Sequence, residues 1–348
     1  MRLVLSLLAM APLVCLAEPT TRDDAPPFEA AVGDDAAQLF ALHDLLAEAV
    51  AQIETNYAEP VDRQALFDAA LRGMVAELDP HSKYLAPGEV GDYRRRVNGR
   101  DRTGGADQAS ESVGGYSRTE DGAWRYAIND QTAYIRIAAF DDDTPKELEK
   151  ALGEVGESPA RALVLDLRNN AGGLLPAAIG VADLLLDGGV IVTTEGRNSK
   201  RREWRAEPGV ATALPLAVLV NRYSASAAEV VAAALQDNAR ATVVGERTFG
   251  KASVQNVIEL GGGRAALKLT TAMYVRPNGA NIHRAAGAGD ADVWGVLPDA
   301  GDGVKVSEEA TKRLAAQRKA LEEGGAAPPA DDDDVLQRAL ESLKDSAS

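Results

Sequence analysis

The 348-residue sequence holds a single cysteine, Cys15, inside an N-terminal apolar run. Disulfides cannot staple the remainder, so a packed hydrophobic core has to hold it. Histidine is nearly as scarce: His43, His81 and His283 are the three, and none stands in a block of small residues that would leave a nucleophile open to attack. No grouping of histidine, cysteine or carboxylate has metal-ligand spacing. No lysine follows the glycines of Asn170-Ala171-Gly172-Gly173 as a phosphate loop requires. No metal and no cofactor are therefore expected. Basic residues are the minority, 37 against 53 acidic, for a net charge of −16. That balance, with no basic stripe, argues against a nucleic-acid partner. After the first residues no stretch is long and apolar enough to span a bilayer.

Met1-Arg2 followed by the apolar run Leu3 to Ala17 reads as a signal peptide cut near Ala17. A periplasmic or secreted location is the expectation. Residues 18–37, rich in Pro, Asp and Ala, read as a flexible leader. Leu39, Leu42, Leu46, Val50, Ile53 and Tyr57 recur at helical period, as do Leu66, Ala70, Met74 and Leu78 before Asp79-Pro80. Residues 38–97 are thus expected to be a small helical region, and the Gly-, Ser- and charge-rich stretch 98–121 a linker. From 122 to 305 short apolar runs alternate with turns and helical patterns. Ala162–Asp166 and Pro215–Val220 have the unbroken apolar character of buried parallel strands. Residues 306–348 read as a helical tail with a Pro/Ala/Asp linker. The fold expected is a mixed α/β core of parallel strands and crossover helices, preceded by the helical region, with functional groups on the turns at strand ends.

Two small-residue blocks carry the chemistry. Ser226 stands in Ser224-Ala225-Ser226-Ala227-Ala228-Glu229, at the mouth of an apolar helix. The spacing Ser226-x-x-Glu229 is also a capping box, so the serine alone does not separate a helix cap from a nucleophile. A nucleophile there would have the N–H of Ala227 and the positive end of the helix beside a developing oxyanion. Lys251 stands in Gly250-Lys251-Ala252-Ser253-Val254-Gln255. On a strand Lys251, Ser253 and Gln255 share one face. In apolar surroundings a lysine gives up its proton more readily and becomes a base for serine; on an edge strand it is a surface residue. Gln255 is placed to orient the amine. The paired glycines after the strand at 162–166 let a backbone N–H approach a ligand closely, a second oxyanion donor. His81, in Asp79-Pro80-His81-Ser82, reads as the cap of a turn.

Together, in this order, these elements resemble the carboxy-terminal processing peptidases, the tail-specific serine proteases of the S41 group. The resemblance runs from Leu71-Arg72-Gly73-Met74-Val75 and Leu78 to Leu85, through Asp166 to Gly173, Ser224 to Glu229 and Thr248 to Gln255, to Tyr274–Gly279 and Leu297-Pro298-Asp299. Ala171 stands where a proline is usual. The resemblance implies Ser226 as nucleophile, Lys251 as base, Gln255 orienting it, Gly172 and Ala227 as oxyanion donors, and Glu229 and Asp237 as supporting residues. Family members carry a PDZ domain between the helical region and the core. Only 98–121 occupies that place, so no PDZ domain is expected. Substrate capture would then be reduced or supplied by an adaptor protein. Protein or peptide substrates and self-association are the implied partners. Two other readings stand beside a peptidase: a catalytically silent periplasmic binding or scaffold protein of the same fold, and an esterase or amidase acting on small substrates.

Overall fold

The computed structural model describes residues 36–97, 111–285, 287–322 and 330–346. The expected signal peptide, the leader up to 35, and 98–110 of the expected linker lie outside the described residues. The chain divides into two units, Met1–Glu77 and Leu78–Ser348.

The first unit contains helices α1 (Ala36–Asn56) and α2 (Arg63–Ala76). Asp62 caps α2 by accepting from the N–H of Ala65 at 3.1 Å. Arg63 clamps the helices together with two bonds to Glu54, 2.7 and 2.6 Å. The apolar stripe read from sequence forms as helix, yet Leu39, Phe40, Leu42, Leu45, Leu46 and Ile53 remain exposed.

The boundary at 77 shortens the helical region expected over 38–97. Beyond it, β1 (Lys83–Leu85) pairs antiparallel with β12 (Ala265–Val275), burying Tyr84 and Leu85, before α3 (Glu89–Val97). Three residues are too few to show a strand period, so sequence pattern could not find β1. Part of the expected linker is likewise sheet: β2 (Val113–Gly114) and β3 (Ser117–Arg118) fall inside it, the latter pairing with β4 (Trp124–Arg125).

The second unit is built on a sheet of order β10-β9-β6-β5-β2. Strands β5 (Thr132–Ile137), β6 (Ala162–Asp166), β9 (Leu216–Val220) and β10 (Ala241–Gly245) run parallel, and β2 closes one edge antiparallel. Both faces are covered, which explains the unbroken apolar runs of β6 and β9. On one face α4 (Thr144–Gly156), α5 (Leu175–Leu185) and α6 (Ala227–Asp237) pack against Ile135, Leu163, Leu165 and Val218. On the other, Val335, Leu336, Ala339 and Leu343 of α8 (Asp334–Ser346) cover Tyr134, Val164, Ala217, Leu219 and Val244. Helix α7 (Glu308–Glu322) precedes it. The second sheet has the order β1-β12-β7-β8, with β11 (Ser253–Leu260) on β12. Its strands β7 (Val190–Gly196) and β8 (Ser199–Arg205) form a hairpin absent from the sequence reading. Among the described residues no helix is long and apolar enough to cross a membrane.

Candidate active site

Three turns at the C-terminal ends of parallel strands build the site. The turn after β9, Asn221 to Ser226, delivers Ser226 to the first position before α6, at φ 56°, ψ −116°. A serine in that sparsely populated region is strained and persists only where its surroundings fix it. Two contacts do so here: Ala225 N–H donates to the carbonyl of Asn170 at 2.9 Å, and Ser226 N–H donates to Glu229 Oε2 at 2.9 Å. Ser226 is partly exposed while Ala225 and Ala227 are buried, so small neighbours leave its hydroxyl approachable. As the first residue of α6, Ala227 has an N–H with no intrahelical acceptor.

The turn after β6 lies directly against Ser226. A Cβ on Gly172 would stand 2.7 Å from Ser226 Cβ and 2.8 Å from the carbonyl of Ala225, and its φ is +102°. Only glycine fits. Gly172→Ala is therefore expected to push the two turns apart and remove activity on any substrate, with a lower melting temperature; unchanged turnover would refute the packing. The N–H of Gly172, expected as an oxyanion donor, is donated to Asn170 Oδ1 at 2.8 Å in this structure. Asn170 is itself fully buried, with its Nδ2 on the carbonyl of Ile137 at 2.9 Å.

The third turn carries Lys251. The residue precedes β11 by two positions rather than lying on the strand, so the one-face alternation expected for Lys251, Ser253 and Gln255 starts only at Ser253. What positions Lys251 is Glu229. This carboxylate is fully buried and accepts four hydrogen bonds: Thr248 Oγ1 (2.5 Å) and Gly250 N–H (2.7 Å) on Oε1, Lys251 N–H (2.8 Å) and Ser226 N–H (2.9 Å) on Oε2. One side chain thus joins the Ser226 turn to the Lys251 turn. Burial pushes the Glu229 carboxyl above the ordinary glutamate range, against the pull of those four donors. Among the described residues no hydrogen bond joins Ser226 Oγ to Lys251 Nζ.

Gln255 sits on β11 opposite Thr270, where β12 carries one extra residue, Thr271. Its Nε2 is buried without a partner, as are Ser253 Oγ, Thr270 Oγ1 and Thr271 Oγ1. Asp237 lies elsewhere, at the far end of α6, about 16 Å from Ser226 at the helical rise. There it binds Arg276 (2.6 and 3.0 Å) and Asn278, which makes it an anchor of the 276–279 turn and separates it from the site.

Sequence reasoning set aside His81, which the structure places at the site. Asp79 caps its turn, accepting from the N–H groups of His81 and Ser82 and from Ser82 Oγ. Ser82 Oγ accepts from Thr270 N–H at 3.1 Å, pinning the turn to β12. Burial, then the positive charge of Lys251, push His81 below the ordinary histidine value; Asp79 opposes this and His283 and Lys268 add to it. The signal was the Asp79-Pro80-His81-Ser82 motif, but its nearness to Lys251 depends on β1 pairing with β12.

Behind the turn that follows β6 lies a buried ion network. Arg168 donates to Asp166 through Nε and Nη2 (2.6–3.1 Å) and through Nη1 to Asp333 at 2.7 Å. Tyr134 adds its hydroxyl to Asp166 at 2.6 Å. Burial alone would raise Asp166; the adjacent guanidinium outweighs it and holds the carboxyl well below its usual range.

A serine on a strained strand-to-helix turn, glycines of a neighbouring turn packed on it, and a lysine turn tied in by one carboxylate come together at the ends of the parallel strands. The profile of peptidase family S41 matches residues 131–300. The carboxy-terminal-processing protease of Bartonella bacilliformis is 31% identical over 330 aligned positions, covering 74% of this chain and 76% of that protein. The chain belongs to peptidase family S41. The carboxyl-terminal-processing protease of Synechocystis sp. is 43% identical over 166 residues, 48% of this chain and 36% of that protein, so the chain matches little more than a third of that relative's length. Among solved structures, a photosystem II D1 C-terminal processing protease shares the fold, with a TM-score of 0.58 at 23% identity over 85% of this chain and 98% of that one.

Proposed function

We propose that the protein is an exported serine endopeptidase of the C-terminal processing type, cleaving unfolded or C-terminally exposed protein substrates by a Ser–Lys(–Gln) mechanism. The observation that carries this reading is Glu229, which binds the Ser226 and Lys251 turns through one carboxylate. Ser226 Oγ attacks the scissile carbonyl as Lys251 takes its proton. Lys251 returns a proton to the leaving amine, and water releases the acyl group. The N–H groups of Ala227 and Gly172 stabilise the oxyanion, about 3–4 kcal/mol of barrier each; Gly172 does so once substrate displaces or shares its bond to Asn170. Unpartnered Gln255 Nε2 and the hydroxyls beside it stand ready for the lysine and the substrate backbone.

The proposal extends to the rest of the chain. In this reading the stretch 98–121 stands where relatives would carry a PDZ domain, and an adaptor supplies capture. The exposed apolar residues of α1 support self-association.

Degradation of unfolded β-casein tests the reading. Wild type is expected to cleave and Ser226→Ala and Lys251→Ala to fail. Cleavage surviving in either variant would reject the assignment. A silent scaffold is the competing reading, supported by the occupied Gly172 N–H. It predicts no labelling of Ser226 by a fluorophosphonate. An esterase would turn over small esters and leave proteins intact.

A further inference from the structure

A base has to be aimed as well as neutral. In the proposed mechanism Lys251 offers Ser226 the lone pair of a neutral amine. Its two N–H groups leave that lone pair free to rotate unless acceptors hold them. Gln255 offers one carbonyl oxygen. The carboxylates at hand are committed. Glu229 accepts four hydrogen bonds. Asp79 accepts three from its own turn: His81 N–H (2.7 Å), Ser82 N–H (2.8 Å) and Ser82 Oγ (2.6 Å). Lys268 can only donate. A second acceptor has to come from elsewhere.

The second sheet brings His81 to that place. Thr270 of β12 stands opposite Gln255 of β11, and towards β1 its N–H is donated to Ser82 Oγ at 3.1 Å. The His81 turn and Gln255 thus flank one residue of β12, each about 4.8 Å away at the strand spacing. Pairing of Lys83 with Lys268 keeps the turn from sliding, and Asp79 fixes its shape. His81 is partly buried and lies within the field of Lys251. The other charged or titratable groups facing it are Asp79 in its own turn, Lys268 on β12, and His283 from the loop after β12. Burial first, then Lys251, keep the ring neutral to a lower pH than an ordinary histidine. A neutral imidazole has one bare nitrogen, an acceptor that protonation removes. His283 is the rival: its Nδ1 is buried without a partner, and the N–H of Arg284 next to it donates to the Gly250 carbonyl at 2.9 Å.

We propose that His81 is a positioning residue for the base: its bare ring nitrogen takes one N–H of Lys251 while Gln255 takes the other, leaving the lone pair to face Ser226. When Lys251 takes the serine proton, the new third N–H of the ammonium points towards the scissile bond and passes to the leaving amine. The inference deepens the Ser–Lys reading above and rests on it.

The test uses the full chain, unfolded β-casein as substrate, and a titration of the histidine rings by NMR. With three histidines in the chain, the His81 signal is assigned by its loss in His81→Gln. In Lys251→Met the His81 midpoint is expected to rise by roughly half a pH unit or more, because a neighbouring cation has gone. An unmoved midpoint overturns the proposal. Glutamine keeps a carbonyl acceptor that acid does not abolish; phenylalanine keeps a ring and no acceptor. His81→Phe is expected to lower kcat by about 10–10²-fold with KM little changed, and His81→Gln to stay within about threefold of wild type. The acid limb of log kcat against pH is expected to be shallower by one proton in His81→Gln, while the part set by Glu229 remains. Equal impairment of the two variants would mean a structural turn only, and would overturn the proposal. So would equal acid limbs in wild type and His81→Gln, the result if a hydroxyl of Ser253 or Thr270 holds the second N–H. The same rescue pattern found at His283 instead of His81 would also overturn it. If wild type cleaves nothing, the peptidase reading falls, and the titration alone upholds or overturns the contact of His81 with Lys251.

Discussion

Glu229→Gln is expected to lower kcat/KM by about 10²–10³-fold while the protein still folds. Glutamate offers two acceptor oxygens to four donors; glutamine offers one, and its NH₂ would face two of the N–H or O–H groups of Ser226, Thr248, Gly250 and Lys251. Leaving two buried donors unpaired costs about 1–3 kcal/mol each. That penalty falls on the contacts that set the spacing of the Ser226 and Lys251 turns; in the proposed mechanism an ångström of displacement there is worth about a hundredfold in rate. Steady-state kinetics beside a melting curve checks it: a variant with full activity would show that the serine and lysine turns hold their positions without the carboxylate. The pH dependence has a sign. The folded-state value of Glu229 is raised by burial, so acid protonates it before an ordinary glutamate, and a protonated carboxyl cannot accept from all four donors. Activity should fall on the acid side first. The stability linked to this group moves the other way, greatest below the unfolded value and lost as pH rises through the folded one.

Asp333→Ala is expected to destabilise the fold by about 3 kcal/mol. Arg168 is 3% exposed, and removing one of its two anions leaves a buried charge half compensated. The same oxygen, Asp333 Oδ1, also accepts from the N–H of Leu336 at 3.1 Å, so the substitution loosens the start of α8 as well. Denaturant unfolding measures the loss, and a change below 1 kcal/mol would contradict the burial of the pair. Acid has a defined effect on this network. Asp166 is depressed in the folded state, so its contribution is complete above the ordinary carboxylate range and drains away as pH falls through the folded value.

The frame of the protein was legible because burial writes itself into sequence. Ala162–Asp166 and Pro215–Val220 could read as unbroken apolar runs only because helices cover both faces of their sheet. The Ser226 and Lys251 blocks were legible for a related reason: small residues crowd where turns meet. What escaped is long-range. Arg168 and Asp333 are 165 residues apart, and no local pattern announces an ion pair at that separation. His81 reaches the site through a three-residue strand with no readable period. The β7–β8 hairpin turns at Arg197-Asn198, without the Asn-Gly or Asp-Gly pair that marks such turns. Asp237 matched a family position, yet a helix carries it to the opposite end from Ser226.

The segment that carries Asp333 and α8 is synthesised long after Ser226 and Lys251. Until it arrives, Tyr134, Val164, Ala217, Leu219 and Val244 lack their cover, and Arg168, at the root of the catalytic turn, lacks one of its two anions. Ser226 and Lys251 therefore exist in the growing chain before the helix that covers the sheet from which their turns extend.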